Sequence, residues 1–354
     1  MPGITIIGSG SYAPGPPVTN SALARVMDTT DDWIKQRSGI EERHFVAPGQ
    51  GTSDLGYEAA KRALEDAKIP ASAVDYILLG TMTPEYVFPG SGGLIGAKLG
   101  IPGVPALDIR QQCAAMPFGF QIADGLVNTG AAETILVIGA DAHAGFMPWE
   151  DWDLLYGDGE SDKKPSQAAF DRATRHRAVS VLFGDGAGAL VMQKSKKPGH
   201  GLLGAQIHTD GRDALQIYIP GGGFKNRPFF NPDIFEKEEY VPRMAGKELF
   251  KNAVTKLPKV VRELCAKHNV KLSDIDCFVA HQANDRINGA VRDALDIPES
   301  KVPSNIARYG NTSGGTIPIL VDELRREKRI KEGDLLCFLA LGAGINWGAV
   351  LMRL

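Results

Sequence analysis

Residues 69–81 read Ile-Pro-Ala-Ser-Ala-Val-Asp-Tyr-Ile-Leu-Leu-Gly-Thr, and residues 270–281 read Val-Lys-Leu-Ser-Asp-Ile-Asp-Cys-Phe-Val-Ala-His. In both stretches a short apolar run follows a helical pattern. When the two are aligned, Asp75 falls on Asp276 and Thr81 falls on His281. An order of elements that recurs within one chain indicates two copies of one structural unit. The sequence therefore predicts two pseudo-repeated halves.

Apolar runs alternate with amphipathic runs along the chain. The apolar runs predict buried strands at Ile4–Ile7, Tyr76–Gly80, Thr134–Gly139, Ala187–Met192, Cys277–Ala280 and Leu335–Leu341. The amphipathic runs predict helices at Tyr57–Ala67, Phe118–Thr129, Glu248–His268 and Ile317–Glu327. Such alternation favours an α/β layered fold. We divide it into an N-terminal half, residues 1–195, and a C-terminal half, residues 196–354.

Two segments have no counterpart in the repeat. Phe146–Arg177 is rich in Trp, Asp and Lys, and Pro220–Arg243 contains three consecutive glycines. Both are predicted to be loops or covering insertions. They are either surface elaborations or the walls of a substrate pocket, and the sequence leaves these two alternatives open.

The bulk composition is that of an ordinary globular protein. The chain has 354 residues, of which 43% are hydrophobic and 23% charged, and its net charge is −3 at pH 7. Nothing in this balance indicates a nucleic-acid or membrane-surface partner. The sequence shows no basic leader and no apolar run of membrane-spanning length, so we expect a cytoplasmic protein.

Cys113 differs from the other three cysteines in its surroundings. It follows a short strand candidate at 104–109 and precedes a helix pattern. A thiol at the start of a helix lies at the positive end of the helix dipole, which lowers its pKa and raises its thiolate content. Cys277 and Cys337 lie in apolar runs and Cys265 in a helix pattern, so we expect packing roles for them. The sequence therefore selects Cys113 as the candidate nucleophile.

His281 and Asn311 are the candidate partners of Cys113. His281 directly follows a predicted buried strand, so its imidazole should lie at the edge of the sheet where α/β proteins bind ligands. Asn311 lies in a run of small residues, and the repeat places it at a helix start matching that of Cys113. A thiolate can form an acyl intermediate, and two neutral donors can stabilise an enolate. This combination favours a Claisen condensation over hydrolysis.

Other motifs give weaker signals. The residues Gly8, Ser9 and Gly10 follow the first strand, but Ala13 stands where a dinucleotide site needs its third glycine. The run starting at Gly184 is predicted to pack tightly beneath the site rather than to cradle a phosphate. The cysteines and histidines show no metal-ligand spacing, so neither a metal nor another cofactor is expected.

The sequence resembles the β-ketoacyl-acyl-carrier-protein synthase III family, within the thiolase-like condensing enzymes. The matching motifs follow one another in order along the whole chain. They are Gly8-Ser-Gly-Ser-Tyr12, Thr30-Asp-Asp-Trp-Ile34, Arg37-Ser-Gly-Ile-Glu-Glu-Arg-His44, Cys113, Phe183-Gly-Asp-Gly-Ala-Gly-Ala189, His281-Gln-Ala-Asn284, Tyr309-Gly-Asn-Thr-Ser313 and Gly344-Ile-Asn-Trp-Gly348. The resemblance implies a thiolase-like five-layer αβαβα fold and a homodimer.

The resemblance also implies roles for individual residues. It makes Cys113, His281 and Asn311 catalytic, with acyl-CoA as the acyl donor and a malonyl thioester as the acceptor. The implied substrate-binding residues are Trp33 and Arg37 at the adenine end of coenzyme A, Phe88 near the acyl pocket, and Gly344. The predicted contacts with acyl carrier protein are Lys251, Arg286 and Arg292, of which the first two match the family's basic contacts. Gly344 belongs to the run Gly342-Ala-Gly344, which could supply an oxyanion N–H.

The chain departs from the family pattern at several positions. Asp293 and Ala294 replace the paired lysines of the carrier-docking helix, and Arg292 stands one position earlier. These changes put the carrier protein as second substrate in question.

Glu85 lies three residues before Phe88 and is a candidate base, since related condensing enzymes use a glutamate near the site. Its alternative role is that of an ordinary loop carboxylate.

Three functions remain open on the sequence alone. The first is a decarboxylating Claisen condensation that gives a β-ketoacyl product. The second is acyl transfer to a hydroxyl, an amine or a non-malonyl carbon nucleophile in secondary metabolism. The third is a binding subunit that keeps the fold without catalysis, although all three catalytic residue types are present. The acyl-chain length is not determined by any of these patterns.

Overall fold

The computed structural model describes residues 3–156 and 163–354. Its strands are β1 (Ile4–Tyr12), β2 (Val18–Thr19), β3 (Glu42–Arg43), β4 (Tyr76–Gly80), β5 (Ala106–Ile109), β6 (Thr134–Asp141), β7 (Gly186–Lys194), β8 (Gly201–Thr209), β9 (Ile217–Tyr218), β10 (Arg243–Met244), β11 (Cys277–Ala280), β12 (Leu335–Gly342) and β13 (Asn346–Arg353). Its α-helices are α1 (Asn20–Leu23), α2 (Asp31–Ser38), α3 (Thr52–Ala67), α4 (Ser91–Lys98), α5 (Ala115–Asn128), α6 (Asp153–Tyr156), α7 (Gln167–Ser180), α8 (Asp233–Glu236), α9 (Gly246–Lys267), α10 (Asp285–Leu295), α11 (Ile306–Tyr309) and α12 (Thr316–Arg326).

Two mixed sheets form the frame of the molecule. The N-terminal sheet has the strand order β1-β7-β6-β4-β5, and the C-terminal sheet has the order β11-β12-β13-β8. In the first, β4 runs parallel to both β5 and β6, while β7 runs antiparallel to β6 and β1. In the second, β11 runs parallel to β12, and β13 pairs antiparallel with β12 and β8. Strands this deeply buried on both faces need helices on each side.

The helices lie in three layers around the two sheets. The helices α5 and α12 lie between the sheets, where Phe120 of α5 meets Phe338 of β12 edge to face with ring centroids 5.0 Å apart. On the outer face of the N-terminal sheet, α3 packs through Leu55 against Leu79 and its neighbours. On the outer face of the C-terminal sheet lie α9 and α10. The order is αβαβα, so the predicted five-layer fold is confirmed.

An interval of 201 positions relates the two halves from β4 and β11 to β6 and β12. The strands β6 and β12 begin at 134 and 335 and end at 141 and 342. The two aspartates of the repeat have the same structural role, since Asp75 accepts a hydrogen bond from Thr134 N and Asp276 accepts one from Leu335 N. The interval also corrects one predicted match, because it places Thr81 opposite Gln282 rather than opposite His281.

The same interval corrects the predicted equivalence of Cys113 and Asn311. A 3₁₀ turn leads into α5 at Gln112–Ala114 and into α12 at Ser313–Gly315. Each turn begins with a left-handed residue, with φ 49° at Gln112 and φ 50° at Ser313. The counterpart of Cys113 is therefore Gly314, and Asn311 lies in the chain that approaches the second turn.

The predicted elements are all present, and the differences lie in their ends and in what was missed. The first strand continues to Tyr12, and α3 begins at Thr52 rather than at Tyr57. Two strands of the C-terminal sheet, β8 and β13, were not predicted. Most residues of β8 are only half buried, so the strand lacks the continuous apolar run that identified the others.

The two segments outside the repeat are only partly loops. Phe146–Arg177 contains α6 and most of α7, and Ser166 caps α7 by accepting a hydrogen bond from Ala169 N. Residues 157–162 of that segment lie outside the described part of the chain. The second segment, Pro220–Arg243, contains the single turn of α8. The helices of Phe146–Arg177 fit the covering insertion of that prediction better than its loop. None of the helices in the described ranges is long and apolar enough to cross a membrane.

Candidate active site

Cys113 lies in the turn between β5 and α5, at the carboxyl edge of the N-terminal sheet. Its side chain is 8% exposed. The opposite wall is the end of β12, where Gly342 approaches so closely that an added Cβ would lie 3.0 Å from Cys113 N and 2.8 Å from Ala114 N. Any larger residue at this position would push the nucleophile turn away, so the glycine is needed for close approach.

The Cys113 thiol is neutral in its resting environment. Burial raises the pKa of the thiol to about 12, against a smaller lowering by the Ser313 hydroxyl, whose Oγ lies 3.5 Å from Sγ. The direction is opposite to the lowered pKa predicted from the helix start, and loss of solvation is its largest cause. A thiol in this state needs a nearby group that takes its proton when it reacts.

His281 follows β11 and is held at both its backbone and its ring. Its N–H donates to Leu339 O at 2.9 Å, and its Nδ1 lies 2.7 Å from Thr316 Oγ1. Burial lowers the pKa of the imidazole to about 3, so the ring is neutral at physiological pH. This agrees with the neutral imidazole predicted from the sequence.

Asn311 is oriented by the turn that follows it. Its Oδ1 accepts a hydrogen bond from Ser313 N at 2.8 Å, an assignment made from the hydrogen-bond network. The amide oxygen is thereby occupied, and the Nδ2 group is the one left to donate toward a ligand. The backbone of Asn311 is fixed as well, since its N–H donates to Leu182 O at 2.8 Å and its carbonyl accepts from Gly184 N at 3.1 Å.

The run beginning at Gly184 packs beneath Asn311. A Cβ at Gly184 would lie 2.4 Å from Tyr309 O and 2.9 Å from the Cβ of Arg43. The side chain of Arg43 is fully buried there and donates to the carbonyls of Val18 and Val181. The space is occupied by protein, which supports the packing role predicted for this run.

The sequence did not indicate a role for Asp141, but its side chain forms hydrogen bonds that hold the backbone around the site. Its buried carboxylate accepts hydrogen bonds from Gly314 N at 2.9 Å and Met82 N at 2.7 Å. Burial raises the pKa of this carboxyl. Asp141 ends β6 in the N-terminal half and Gly314 begins the second turn, so this contact ties the two halves together beside Cys113.

One cavity of about 1110 Å³ joins the three candidate catalytic residues. Cys113, His281 and Asn311 all line it, together with Gly344. The exposed cationic residues Arg37, Lys247 and Arg286 also line it and mark its opening to solvent. The structure therefore brings together residues that lie up to 198 positions apart in the sequence, from 113 to 311.

Trp33 lies outside the cavity lining but carries two arginines on its indole ring. The guanidinium carbon of Arg37 lies 4.3 Å from the ring centroid and that of Arg177 lies 4.8 Å from it. Arg37 was predicted at this position. Arg177 was missed, because it comes from α7 and nothing in the local sequence connects α7 with α2.

Glu85 and Phe88 lie outside the cavity of their own chain. The Glu85 carboxylate accepts hydrogen bonds from Ser53 N and Ser91 Oγ at the starts of α3 and α4. Burial raises its pKa, but these hydrogen bonds outweigh burial and leave the pKa lowered. A carboxylate bound in this way fits a structural cap better than a base. Phe88 is 76% exposed on the same loop.

The three residues predicted to contact a carrier protein lie on α9 and α10. Lys251 and Arg286 are exposed, and Arg286 reaches the cavity opening. Arg292 forms ion pairs with two acidic residues, with Nη2 2.9 Å from Asp293 Oδ1 and Nη1 3.3 Å from Glu299 Oε2.

No cluster of three or more His, Cys, Asp or Glu side chains suited to a metal is found among residues 3–156 and 163–354.

Comparison with known proteins gives the same family along the whole chain. The family model described as 3-oxoacyl-[acyl-carrier-protein] synthase III matches residues 107–160 and 165–211, and its C-terminal companion matches residues 265–354. The chain is 40% identical over 352 residues to the beta-ketoacyl-[acyl-carrier-protein] synthase III of Alkalilimnicola ehrlichii, covering 98% of each protein. It is 38% identical to the same enzyme of Rhodospirillum rubrum, covering 99% and 98% of the two chains.

Solved structures agree with this result. The crystal structure of 3-oxoacyl-[acyl-carrier-protein] synthase III from Aquifex aeolicus superposes with a TM-score of 0.84 at 35% identity, covering 99% of this chain and 100% of that one. The synthase III from Pseudomonas aeruginosa gives a TM-score of 0.83 at 31% identity, with 99% and 98% coverage. With the sequence matches extending from end to end, the chain belongs to the β-ketoacyl-[acyl-carrier-protein] synthase III family of condensing acyltransferases, the thiolase-fold enzymes of fatty acid biosynthesis.

Proposed function

We propose that the protein transfers an acyl group from acyl-CoA to Cys113 and then joins it to the carbon of a malonyl thioester, with no cofactor. The observation that carries this proposal is the convergence of Cys113, neutral His281 and the Nδ2 group of Asn311 on one cavity. A buried thiol that can lose its proton to a neighbour, with two neutral donors beside it, suits acyl transfer followed by enolate chemistry.

In the first step the acyl group moves to the protein. The Cys113 sulfur attacks the thioester carbonyl carbon of acyl-CoA while its proton passes to Nε2 of His281, so the proton moves as the new bond forms and no free thiolate accumulates. The bond between that carbon and the coenzyme sulfur breaks, and the coenzyme leaves as a thiol with the proton from His281. The indole of Trp33 with Arg37 and Arg177 offers a face for the nucleotide end of the coenzyme.

In the second step a carbon–carbon bond forms. His281 and Asn311 donate hydrogen bonds to the thioester oxygen of the malonyl group, which stabilises the enolate that forms as carbon dioxide leaves. The enolate carbon attacks the acyl carbonyl on Cys113, and the backbone N–H of Gly344 is a candidate donor to the resulting oxyanion. Collapse of this intermediate breaks the bond to Sγ and releases the β-ketoacyl product.

Intact-protein mass spectrometry tests the first step. The wild-type protein, incubated with a panel of acyl-CoAs, should gain the mass of one acyl group. Cys113→Ala should gain none, while Cys265→Ala should be labelled like the wild type, because Cys265 lies in the outer layer. Full labelling of Cys113→Ala would exclude Cys113 as the nucleophile.

A second candidate is transfer to an acceptor other than malonyl-carrier protein. The observation that favours it lies on α10, where Asp293 and Ala294 replace a basic pair and Arg292 is held by Asp293 and Glu299. Measuring product from malonyl-carrier protein and from malonyl-CoA separates the two. Steady turnover of malonyl-carrier protein would count against this second candidate.

We also propose that the protein is a homodimer formed along β5. This strand is at the edge of its sheet, and Leu107 on it is 41% exposed. The neighbouring loop exposes Tyr86 at 60% and Phe88 at 76%. An apolar patch next to an unpaired strand edge is a typical place for a second copy to pair. Sedimentation should show a dimer that Leu107→Asp converts to a monomer, whereas Leu215→Asp, which alters an exposed leucine elsewhere, should leave it dimeric.

A further inference from the structure

Three phenylalanine rings lie together on the surface of the second segment outside the repeat. The ring centroids of Phe224 and Phe229 lie 4.9 Å apart, and those of Phe229 and Phe230 lie 4.7 Å apart. Phe224 is 78% exposed and Phe230 is 69% exposed. Because burial of large apolar side chains is favourable, a group of exposed rings marks a surface that another body covers. We call residues 223–230 the aromatic tip.

The loop that carries the aromatic tip is fixed at its base. Gly221 N donates a hydrogen bond to Glu239 O at 2.8 Å, which joins the two ends of the loop. The Glu238 carboxylate binds α7, with Oε2 2.7 Å from His176 Nε2. Residues 223–228, in contrast, are all exposed. The base therefore lies against the body of the protein, and the tip projects into solvent.

A tight turn presents an aromatic and a cationic side chain side by side. Asn226 N donates to Gly223 O at 3.1 Å, so Phe224 and Lys225 are the two central residues of the turn. The chain enters this turn with φ 74° at Gly222 and φ 81° at Gly223, a conformation that favours glycine. The glycines thus allow the chain to reverse here with both side chains directed outward.

The cations of the aromatic tip have no carboxylate beside them. Residues 219–232 contain Lys225 and Arg227 but no Asp or Glu. Among the residues that the structure describes, neither cation forms an ion pair. Lys237, farther along the loop, differs in this respect, since its Nζ lies 3.0 Å from Asp233 Oδ2. Two unpaired cations next to exposed rings complement a negatively charged partner.

Charge and shape together select the kind of partner. A symmetric contact with a second copy would bring Lys225 and Arg227 of both copies into one interface without a carboxylate to pair with them. A folded protein would need a pocket for each protruding ring. A bilayer accepts aromatic rings between its headgroups at any position, and its anionic phosphates attract Lys and Arg. An anionic lipid surface therefore fits the aromatic tip best.

We propose that the aromatic tip binds the surface of an anionic lipid bilayer. Phe224 and Phe230 enter the headgroup region, and Lys225 and Arg227 contact lipid phosphates. The whole chain has a net charge of −3, so the attraction is local to the tip. The bulk composition gave no sign of such a partner because net charge averages over all residues.

The loop starts next to the opening of the cavity. Ile219 and Met244, on either side of the loop in the sequence, both line the cavity. Phe224 follows Ile219 by five residues, so even a fully extended chain would separate them by at most about 18 Å. Binding through the tip therefore holds the cavity opening within about that distance of the bilayer.

The main test is flotation of the full chain with lipid vesicles. One set of vesicles contains phosphatidylcholine and phosphatidylglycerol, and the other contains phosphatidylcholine alone. We expect the wild type to float with the anionic vesicles only. Lys225→Glu combined with Arg227→Glu should lower the partition coefficient at least about tenfold, since each cation near an anionic surface contributes to binding. Lys61→Glu combined with Lys68→Glu makes the same charge change at exposed positions near α3 and should leave it unchanged.

A second measurement locates the contact at the rings. Phe224→Trp should keep the binding and add an indole to the tip, because tryptophan favours the membrane interface. Its emission, taken as the difference from the wild type, should shift to shorter wavelength on anionic vesicles and be quenched by brominated lipid. Phe224→Ser combined with Phe230→Ser should weaken flotation, with an unchanged melting temperature. These readouts need no substrate, so they are independent of the proposed function.

Several outcomes would overturn the proposal. One is a wild type that does not float with anionic vesicles, and another is an equal loss of binding in the Lys61 and Lys68 control. An indole at position 224 that shows neither shift nor quenching would also exclude the tip. If the double serine variant sediments as a smaller species without lipid, the tip contacts a second copy instead. If it loses affinity only for acyl carrier protein, the partner is an acidic protein.

Discussion

The Oγ1 atom of Thr316 lies 2.7 Å from Nδ1 of His281, and the same hydroxyl lies 3.2 Å from Ser313 O. A hydroxyl has one proton to give. When Thr316 donates it to Ser313, Nδ1 of His281 carries a proton and Nε2 is free to accept one from Cys113. When Thr316 donates to Nδ1 instead, Nε2 carries the proton and can donate to a thioester oxygen. Rotation of one hydroxyl thus prepares the imidazole for either step.

We expect Thr316→Val to slow the reaction by changing kcat more than KM. Loss of a buried neutral hydrogen bond corresponds to about 1 kcal/mol, or about five- to tenfold in rate. Thr316→Ser keeps the hydroxyl and should restore most of the activity. Steady-state kinetics of the three proteins checks this. Equal losses in the valine and serine variants would indicate a packing role for Thr316 instead.

The buried state of His281 gives a prediction for stability at acid pH. The pKa of its imidazole is about 3 in the folded protein, against 6.5 for the unperturbed side chain. In the unfolded chain the His281 imidazole is therefore protonated below pH 6.5, whereas in the folded protein it stays neutral down to about pH 3. The stabilisation from this difference is complete above pH 6.5 and is lost as the pH falls toward 3.

Denaturant unfolding between pH 6.5 and pH 4 measures this loss. One proton corresponds to a slope of about 1.4 kcal/mol per pH unit in the free energy of unfolding. We expect His281→Gln to remove that slope contribution, while His208→Gln, at a residue that is not fully buried, should leave it unchanged. Parallel pH profiles for wild type and His281→Gln would contradict the lowered pKa.

Much of this arrangement could be predicted from the sequence, because the same order of residues and elements occurs in both halves. Asp75 and Asp276 mark the same point in both halves, and the apolar runs after them identify β4 and β11, of which β11 ends directly before His281. The one-position error at Thr81 arose because the aligned stretches differ in length by one residue. The aspartate pair by itself gives an interval of 201 positions, and the bounds of β6 and β12 have the same interval.

What the sequence could not predict depends on contacts between distant elements. The pKa of Cys113 is set by burial beneath the end of β12, and nothing within a few residues of Cys113 encodes that burial. Asp141 and Gly314 lie 173 positions apart, and no local sequence pattern connects them.

The two arginines on Trp33 predict how the coenzyme end of the substrate is bound. Arg177→Ala removes one guanidinium from the indole face, so acyl-CoA should bind more weakly. A cation–π contact contributes about 0.5–2 kcal/mol, which corresponds to about 2- to 30-fold in KM. Acyl-pantetheine, which lacks the nucleotide, should be unaffected. Arg175→Ala on the same helix is the matched control, and an equal rise in KM for both substrates would argue against nucleotide recognition.

The altered helix α10 gives a prediction about the acceptor. Asp293 and Ala294 stand where a basic pair is expected, and Asp293 also binds Arg292. Asp293→Lys combined with Ala294→Lys adds two positive charges, removes one negative charge and releases Arg292 from one partner. If an acidic carrier protein docks here, long-range attraction should raise its association rate.

We therefore expect this double variant to raise kcat/KM for malonyl-carrier protein by about two- to tenfold at low salt, and the gain should shrink as the ionic strength rises. Turnover of malonyl-CoA at the same ionic strengths is the internal control, because the changes lie on the surface of α10 and should leave it nearly constant. Asp296→Lys, just past the helix end, adds comparable charge and tests whether position matters. If kcat/KM for the carrier protein does not rise, or rises equally for both substrates, α10 does not bind the carrier protein. A smaller thioester would then be the expected acceptor.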